Sequence, residues 1–305
     1  MTEHPAYFET HDHGEGYFEI DDYELYYRRF GSGDDVLVGV HGGPGMPHDY
    51  LAPLAEHAGE DLTVYLYDQF GVGRSDGPAP GDFDRYTVDH YRGELEAVRK
   101  AIDPEGSFTL YGQSWGGMLA QEYVLEHGAH VDGLMLANTL ADTQTAFESM
   151  RSVLDELPAD DRATIEDHEA ERAYDAPAYE AALDGAYREH VCRTEEYPDP
   201  VLSTFDRISL DVYGLMWGPN EYVLLDTARL RDWDVRDRLP EVDVPTLVLS
   251  GEYDEIDPEI ARDIADRIPN ADVHVFEESS HMPFWETPDA HYEVVESFLA
   301  ELRSP

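Results

Sequence analysis

The five residues Gly112-Gln113-Ser114-Trp115-Gly116 constrain this chain more than any other stretch. Before them lies Phe108-Thr109-Leu110-Tyr111, a short β-prone apolar run. After them Met118 to His127 places apolar residues at helical spacing. That strand–turn–helix context is what a G-x-S-x-G pattern needs to act as a nucleophile elbow. A side chain at Gly112 or Gly116 would collide inside so tight a turn. The serine hydroxyl then stands exposed at a helix N-terminus, where N–H groups and the helix dipole favour developing negative charge. A Gly-Ser-Gly turn with no chemistry is the plain alternative. The flanking elements and the partners below weigh against it.

The rest of the chain repeats the strand–helix rhythm. Tyr17–Ile20 and Glu24–Phe30 read as an opening antiparallel pair. Val36–Val40 and Thr63–Tyr67 read as buried strands, Thr87–Ile102 as an amphipathic helix, and Gly133–Ala137 as the strand after the elbow helix. Alternating strands and helices imply a parallel sheet covered on both faces. From about Asp142 to Arg231 the texture becomes acidic and helical, with no convincing buried strand and with Pro158, Pro177, Pro198 and Pro200 as punctuation. The α/β rhythm then returns with a strand at Thr246–Leu249, a helix at Glu259–Arg267 and a strand at Val273–Phe276. The expected organisation is one α/β core in two parts, residues 1–141 and 232–305, interrupted by a helical cap over residues 142–231.

At 305 residues and 42% hydrophobic content the chain can bury a large core, and it is not a disordered acidic chain. Its net charge of −47 is nevertheless extreme: 67 acids face 20 bases, and Lys100 is the only lysine. The acids are scattered over the whole length, so they repel one another unless counterions screen them. This pattern predicts a protein adapted to concentrated salt, as in halophilic archaea. It also argues against nucleic acid or an anionic membrane as partner. Cys192 stands alone, so no internal disulfide is expected. The N-terminal residues show no signal-peptide pattern and no stretch reaches the length of a membrane span, which predicts a cytoplasmic protein. His11-Asp12-His13 has metal-ligand residue types but sits in a polar tail, and no metal or other cofactor is expected.

A serine hydroxyl is a poor nucleophile at neutral pH and needs a base, itself oriented by an acid. Asp254 follows the strand at 246–250 after Gly251-Glu252-Tyr253, and His281 follows the strand at 273–276 after Glu277-Glu278-Ser279-Ser280. The chain order Ser, Asp, His at strand ends is the one used on α/β-hydrolase folds. With 67 acids and 14 histidines no single member is specific, but the joint arrangement is. Ser114, Asp254 and His281 are therefore the candidate catalytic triad. An oxyanion hole needs two backbone donors. Trp115, next after the serine, supplies one, and the glycine-rich run His41-Gly42-Gly43-Pro44-Gly45 supplies the other, through Gly43 with Gly42 as the alternative. Asp257 is the alternative acid.

Taken together the chain resembles the proline iminopeptidase family of serine peptidases, an α/β-hydrolase group, and within it the archaeal branch that works beside the tricorn protease. The resemblance rests on HGGPG at 41–45, DQFGVGRSD at 68–76, GQSWGG at 112–117, WGPNE at 217–221, GEYDE at 251–255 and SSHMPFWE at 279–286. It implies an α/β-hydrolase core with a helical cap. It also implies removal of an N-terminal residue, often proline, from short peptides, with a functional link to a larger peptide-producing protease. It assigns Ser114 as nucleophile, His281 as general base then acid, Asp254 as orienting acid, and Glu221 and Glu255 as ligands of the substrate's free amine. Physical chemistry agrees, because buried carboxylates tell a charged terminus from an internal amide. Trp217, Phe284 and Trp285 either line a prolyl pocket or pack the interior, and the loop from Asp68 to Ser75 reads as structural. The competing readings are another α/β-hydrolase acting on amides or esters and, from a different class, a non-catalytic binding protein on the same fold.

Overall fold

The computed structural model describes residues 6–9, 13–79 and 81–304. Eight strands form one sheet: β1 (His13–Ile20), β2 (Tyr23–Phe30), β3 (Asp35–Val40), β4 (Leu62–Tyr67), β5 (Phe108–Gln113), β6 (Val131–Ala137), β7 (Thr246–Gly251) and β8 (Ala271–Phe276). Their order across the sheet is β1-β2-β4-β3-β5-β6-β7-β8. β1 with β2 and β2 with β4 are antiparallel, and every later pair is parallel.

The helices are α1 (Ala6–Glu9), α2 (Val88–Ile102), α3 (Trp115–His127), α4 (Thr143–Val153), α5 (Ala159–Glu171), α6 (Pro177–Ala186), α7 (Asp199–Phe205), α8 (Leu210–Met216), α9 (Pro258–Arg267), α10 (Pro283–Glu286) and α11 (Pro288–Leu302). Their starts follow local chemistry. The Thr87 hydroxyl accepts from His90 N at 3.2 Å to open α2, and Asp142 Oδ1 accepts from Gln144 N at 3.1 Å to open α4. Asp257 caps α9 by accepting from Glu259 N at 2.9 Å, with Pro258 at the first helical position.

Successive residues of one strand feed opposite faces of the sheet. Val38, Leu110, Leu134, Leu136 and Val248 join the core under α2, α3 and the helical segment, whereas Leu37, Tyr111, Met135, Leu247 and Leu249 join a second core with α11 and the 3₁₀ turn His48–His57. Strands loaded on both faces read as continuous apolar runs, which is why β3, β5, β6 and β7 were visible in the sequence.

The helices α4 to α8 all lie between β6 and β7, and their segment leaves and rejoins the sheet at one place. Asp142 bridges Asp234, Thr143 N donates to Trp233 O at 3.0 Å, and Val235 N donates to Ala141 O at 2.9 Å. Two features went beyond the sequence reading. The run after the HGGPG motif winds into a buried 3₁₀ turn, and α11 closes the chain against the sheet. His11 and Asp12 of the candidate metal tail lie outside the described residues.

Candidate functional site

The parallel strands end together, and the crevice at their carboxyl ends is where such sheets place ligands. Val40 at the end of β3 pairs with Gly112 of β5, and Gln113 pairs with Ala137 of β6. Ser114 follows with φ 54° and ψ −121°, outside the regions that L-residues favour. Such a conformation costs about 1–3 kcal/mol and survives because its surroundings fix it. Ser114 N donates to Ala137 O at 3.0 Å, and Thr139 Oγ1 donates to Ser114 O at 2.7 Å. The flanking glycines are steric requirements: a Cβ at Gly112 would lie 2.4 Å from Gly116 O, and one at Gly116 would lie 2.0 Å from Val40 O.

Asp254 and His281 meet from the loops after β7 and β8, with Nδ1 of His281 2.8 Å from Asp254 Oδ1. Asn138, the residue after β6, turns at φ 50° and donates through Nδ2 to Asp254 Oδ2 at 2.6 Å and to Ser280 O at 3.1 Å. Glu286 holds the other side of the loop, accepting from Ser280 N and from the Ser279 hydroxyl, each at 2.6 Å. Burial alone would depress the His281 pKa, but the charge of Asp254, followed by Glu255 and Glu221, outweighs it and raises the imidazole to about 9. Asp257, the alternative acid, is spent on capping α9. Gln113, the residue before Ser114, donates through Nε2 to His281 O at 3.3 Å and so ties the nucleophile strand to the main chain of the base loop.

Gly43, Ser114, Trp115, Trp217, Glu221 and Glu255 line one cleft. Trp115 occupies the first helical position of α3, where an N–H has no acceptor within its own helix. Gly42 N already donates to Tyr50 Oη at 2.7 Å, which leaves Gly43 as the glycine facing the cleft. Glu255 is 3% exposed, and its Oε2 makes no hydrogen bond of ordinary geometry, although the Tyr222 hydroxyl is near enough to favour its ionised form. Burial, with Glu221 and Asp254 adding repulsion, pushes its carboxyl above the usual range, against the pull of His281. Across the cleft the Tyr187 hydroxyl donates to Glu221 Oε2 at 2.7 Å, and Trp217 Nε1 donates to Glu221 O at 3.1 Å.

The three aromatic candidates divide. Trp217 lines the cleft, whereas Phe284 packs beside Tyr50 with ring centroids 6.0 Å apart, and Trp285 Nε1 donates to Tyr50 O at 2.7 Å. Asn138, Tyr187, Glu286 and Tyr50 were missed by sequence reasoning. None sits at a spacing that marks it, and each acquires its partner only through tertiary contact. The helical segment also grips the acid loop: Ser149 Oγ donates to Glu255 O at 3.1 Å and accepts from Asp257 N at 2.8 Å.

The loop from Asp68 is structural, as expected. Asp68 Oδ1 accepts from His48 N at 3.0 Å, and Oδ2 accepts from Arg74 N at 2.9 Å. His48, Asp49 and Asp68 lie close enough to share a cation. The cluster already holds guanidinium groups instead, with Arg28 Nη1 3.0 Å from Asp49 Oδ1 and 2.9 Å from His48 Nε2, and Arg207 on Asp49 Oδ2. Both imidazole nitrogens of His48 are engaged, so no lone pair there is free for a metal.

The profile of the α/β hydrolase fold matches residues 35–288. Proline iminopeptidase of Saccharolobus solfataricus is 38% identical over 293 residues, covering 95% of this chain and 93% of its own. Proline iminopeptidase of Thermoplasma volcanium is 35% identical, covering 93% and 96%. The chain belongs to the proline iminopeptidase family of α/β hydrolases. Among solved structures, the proline iminopeptidase of Mycobacterium smegmatis superposes with a TM-score of 0.85 at 33% identity, covering 95% of this chain and 98% of its own. VinJ superposes with a TM-score of 0.89 at 35% identity, covering 95% and 99%.

Proposed function

We propose that this protein is a serine aminopeptidase that releases an N-terminal residue, preferably proline, from short peptides through an acyl-enzyme. The observation that carries the reading is the buried Glu255, whose Oε2 makes no hydrogen bond of ordinary geometry, in the cleft that also holds Ser114 and Glu221. Burial favours the neutral form of this carboxyl, and a substrate ammonium supplies the positive charge that stabilises its ionised form. Family membership supplies the reaction class, and the cleft supplies the reason for a free N-terminus.

In this mechanism Ser114 Oγ attacks the carbonyl carbon of the first residue while His281 Nε2 takes its proton. Asp254 holds the Nδ1–H tautomer and stabilises the imidazolium. The N–H groups of Gly43 and Trp115 receive the oxyanion. Collapse breaks the C–N bond, and His281 returns the proton to the leaving amine. Water, deprotonated by His281, then cleaves the ester and restores Ser114. Glu221 and Glu255 hold the ammonium throughout, and Trp217 offers an apolar face to a prolyl ring.

In our reading the helical segment 142–231 is a cap on a core made of residues 1–141 and 232–305. We also infer a cytoplasmic enzyme working in concentrated salt, on peptides delivered by a larger protease, with neither nucleic acid nor membrane as partner. The scattered −47 charge and the cysteine usage support the first part, and the exopeptidase chemistry supports the second. No helix among the described residues is long and apolar enough to cross a membrane. The direct test is a panel of aminoacyl amides. Prolyl amide should be cleaved fastest, alanyl and leucyl amides more slowly. Equal rates on all three would remove the proline preference, and preference for long-chain esters would favour a general esterase.

A further inference from the structure

One buried residue outside the proposed triad, oxyanion and amine-binding groups ties the oxyanion loop to the nucleophile strand. Tyr50 is 1% exposed and lies in the 3₁₀ turn that follows the HGGPG run. Its hydroxyl accepts from Gly42 N at 2.7 Å and donates to Gln113 Oε1 at 2.5 Å. The direction is fixed, because the hydroxyl has one proton and Gly42 N–H is a donor only. Gln113 Nε2 in turn donates to His281 O at 3.3 Å. The main chain of Tyr50 is held as well: its N donates to Thr204 Oγ1 at 3.1 Å, and its O accepts from Trp285 Nε1 at 2.7 Å.

The loop that Tyr50 grips is fixed peptide by peptide. His41 O accepts from Gln69 Nε2 at 2.9 Å, and Gly42 N–H goes to Tyr50, so the 41–42 peptide is held at both ends. In the next peptide Gly42 O lies 3.1 Å from His41 Nδ1. His41 Nε2 accepts from Gln69 N at 3.0 Å, so Nδ1 carries the ring proton and donates to that carbonyl. A peptide unit is planar, with N–H opposite C=O, so anchoring Gly42 O turns Gly43 N–H the other way. A Cβ at Gly42 would lie 2.9 Å from Ser114 Cβ, which shows how closely this loop is pressed on the nucleophile.

We propose that Tyr50 is a positioning residue of the oxyanion hole, locking the Gly42–Gly43 loop to the nucleophile strand and to the main chain of the base. The role rests on the hydrolase reading above. Hydrogen bonds in series polarise one another in a dry interior, so the chain Gly42, Tyr50, Gln113, His281 sets the loop and the base loop as one unit. An oxyanion donor has to be in place before charge develops, and removing one outright costs about 10²–10³ in turnover.

The test is Tyr50→Phe, which keeps the ring and removes the hydroxyl. Turnover of prolyl amide should fall about 10- to 100-fold with KM within about threefold, since a misplaced donor is felt only in the transition state. Two ligands separate positioning from plain destabilisation. Pyrrolidine-2-boronic acid, whose tetrahedral oxygen occupies the oxyanion position on Ser114, should lose affinity by the same factor as kcat. Pyrrolidine, which carries the amine alone, should bind unchanged. Val98→Ala, a buried truncation in α2 away from the cleft, should lower Tm while kcat stays at the wild-type value. If Tyr50→Phe is too unstable at working temperature, Gln113→Leu breaks the same relay and should show the same boronate-specific loss. Wild-type kcat and boronate affinity in these variants would overturn the positioning role alone. A wild type that cleaves no aminoacyl amide or ester would overturn the hydrolase reading and the role together.

Discussion

The sheet and the helical segment between β6 and β7 contribute to one cleft in different ways. The sheet side is a frame. Its strand ends carry Ser114, Asp254 and His281, and its contacts are hydrogen bonds between adjacent strand ends, such as Ser114 N to Ala137 O and Asn138 N to Leu249 O at 2.7 Å. The helical side brings Glu221, Trp217 and Tyr187, whose partners are one another. The difference teaches a division of labour: groups on rigid strand ends are suited to bond-making, and groups on the inserted segment are suited to deciding what enters. Substitutions of the triad on the first side should cost turnover, and those on the second should cost recognition; Glu255, beside Asp254 on the sheet side, is the one recognition group carried by the frame.

The largest effect belongs to the frame. Ser114→Ala should lower kcat by about four or more orders of magnitude and leave pyrrolidine binding intact. A variant within tenfold of wild type would break the assignment of chemistry to the strand ends. Asp254→Asn should cost about 10⁴ in kcat by releasing the imidazole tautomer, and should add little to Ser114→Ala because the triad acts as a unit. Full activity in Asp254→Asn combined with loss in Asp257→Asn would move the acid three residues along the chain.

The helical side should respond differently. Glu221→Gln should raise KM for prolyl amide about 10- to 100-fold, the worth of a hydrogen bond to a charged group, with much less change on an uncharged ester such as p-nitrophenyl acetate. Equal losses on both substrates would erase the division. A smaller effect links the two sides. Glu221 helps hold the proton on His281, whose pKa stands near 9. The imidazole must be neutral to accept the Ser114 proton, so wild-type kcat/KM on the ester should rise with pH towards about 9. Removing the Glu221 charge lowers the imidazole pKa, so the rising limb should move to lower pH. A limb that stayed put or moved upward would show that the two regions are not electrostatically coupled.

Salt should leave the cleft nearly untouched while acting on the surface. Screening length falls to about 3 Å at 1 M ionic strength, but buried charges are screened far less. Thermal midpoints should therefore rise by roughly 5 °C or more between dilute buffer and molar chloride, at about 2–4 °C per kcal/mol. Selectivity for a free amine should persist across that range. A flat or falling midpoint would end the halophilic interpretation.

Most of the sheet was legible because β3, β5, β6 and β7 are buried on both faces and write themselves as apolar runs. The elbow was legible for a steric reason, since Gly112 and Gly116 have backbone where a Cβ would go. Asp254, His281, Glu221 and Glu255 came from strand-end order and motif resemblance. The supporting groups were not legible. Asn138 lies 116 residues from its partner Asp254, and Tyr50 lies 63 from Gln113. Chain positions so distant carry no periodic signal, and Tyr50 sits in a 3₁₀ turn whose sequence contains Pro53 and no regular apolar repeat. Whether Trp217, Phe284 and Trp285 line the pocket or pack the interior was not legible, because aromatics look alike in sequence until one, Trp217, is seen to border the cleft.

The central claim is that two cleft carboxylates, the buried Glu255 and the half-buried Glu221, make this hydrolase require a charged N-terminus. The most direct measurement is kcat/KM of the wild type on prolyl amide and on N-acetylprolyl amide, side by side in molar salt. The acetyl group removes the charge and leaves the scissile bond alone. The account predicts rapid release from the free peptide and a loss of about a hundredfold or more on the blocked one, since Glu255 is then left buried without its partner. Comparable rates on the two substrates would contradict it.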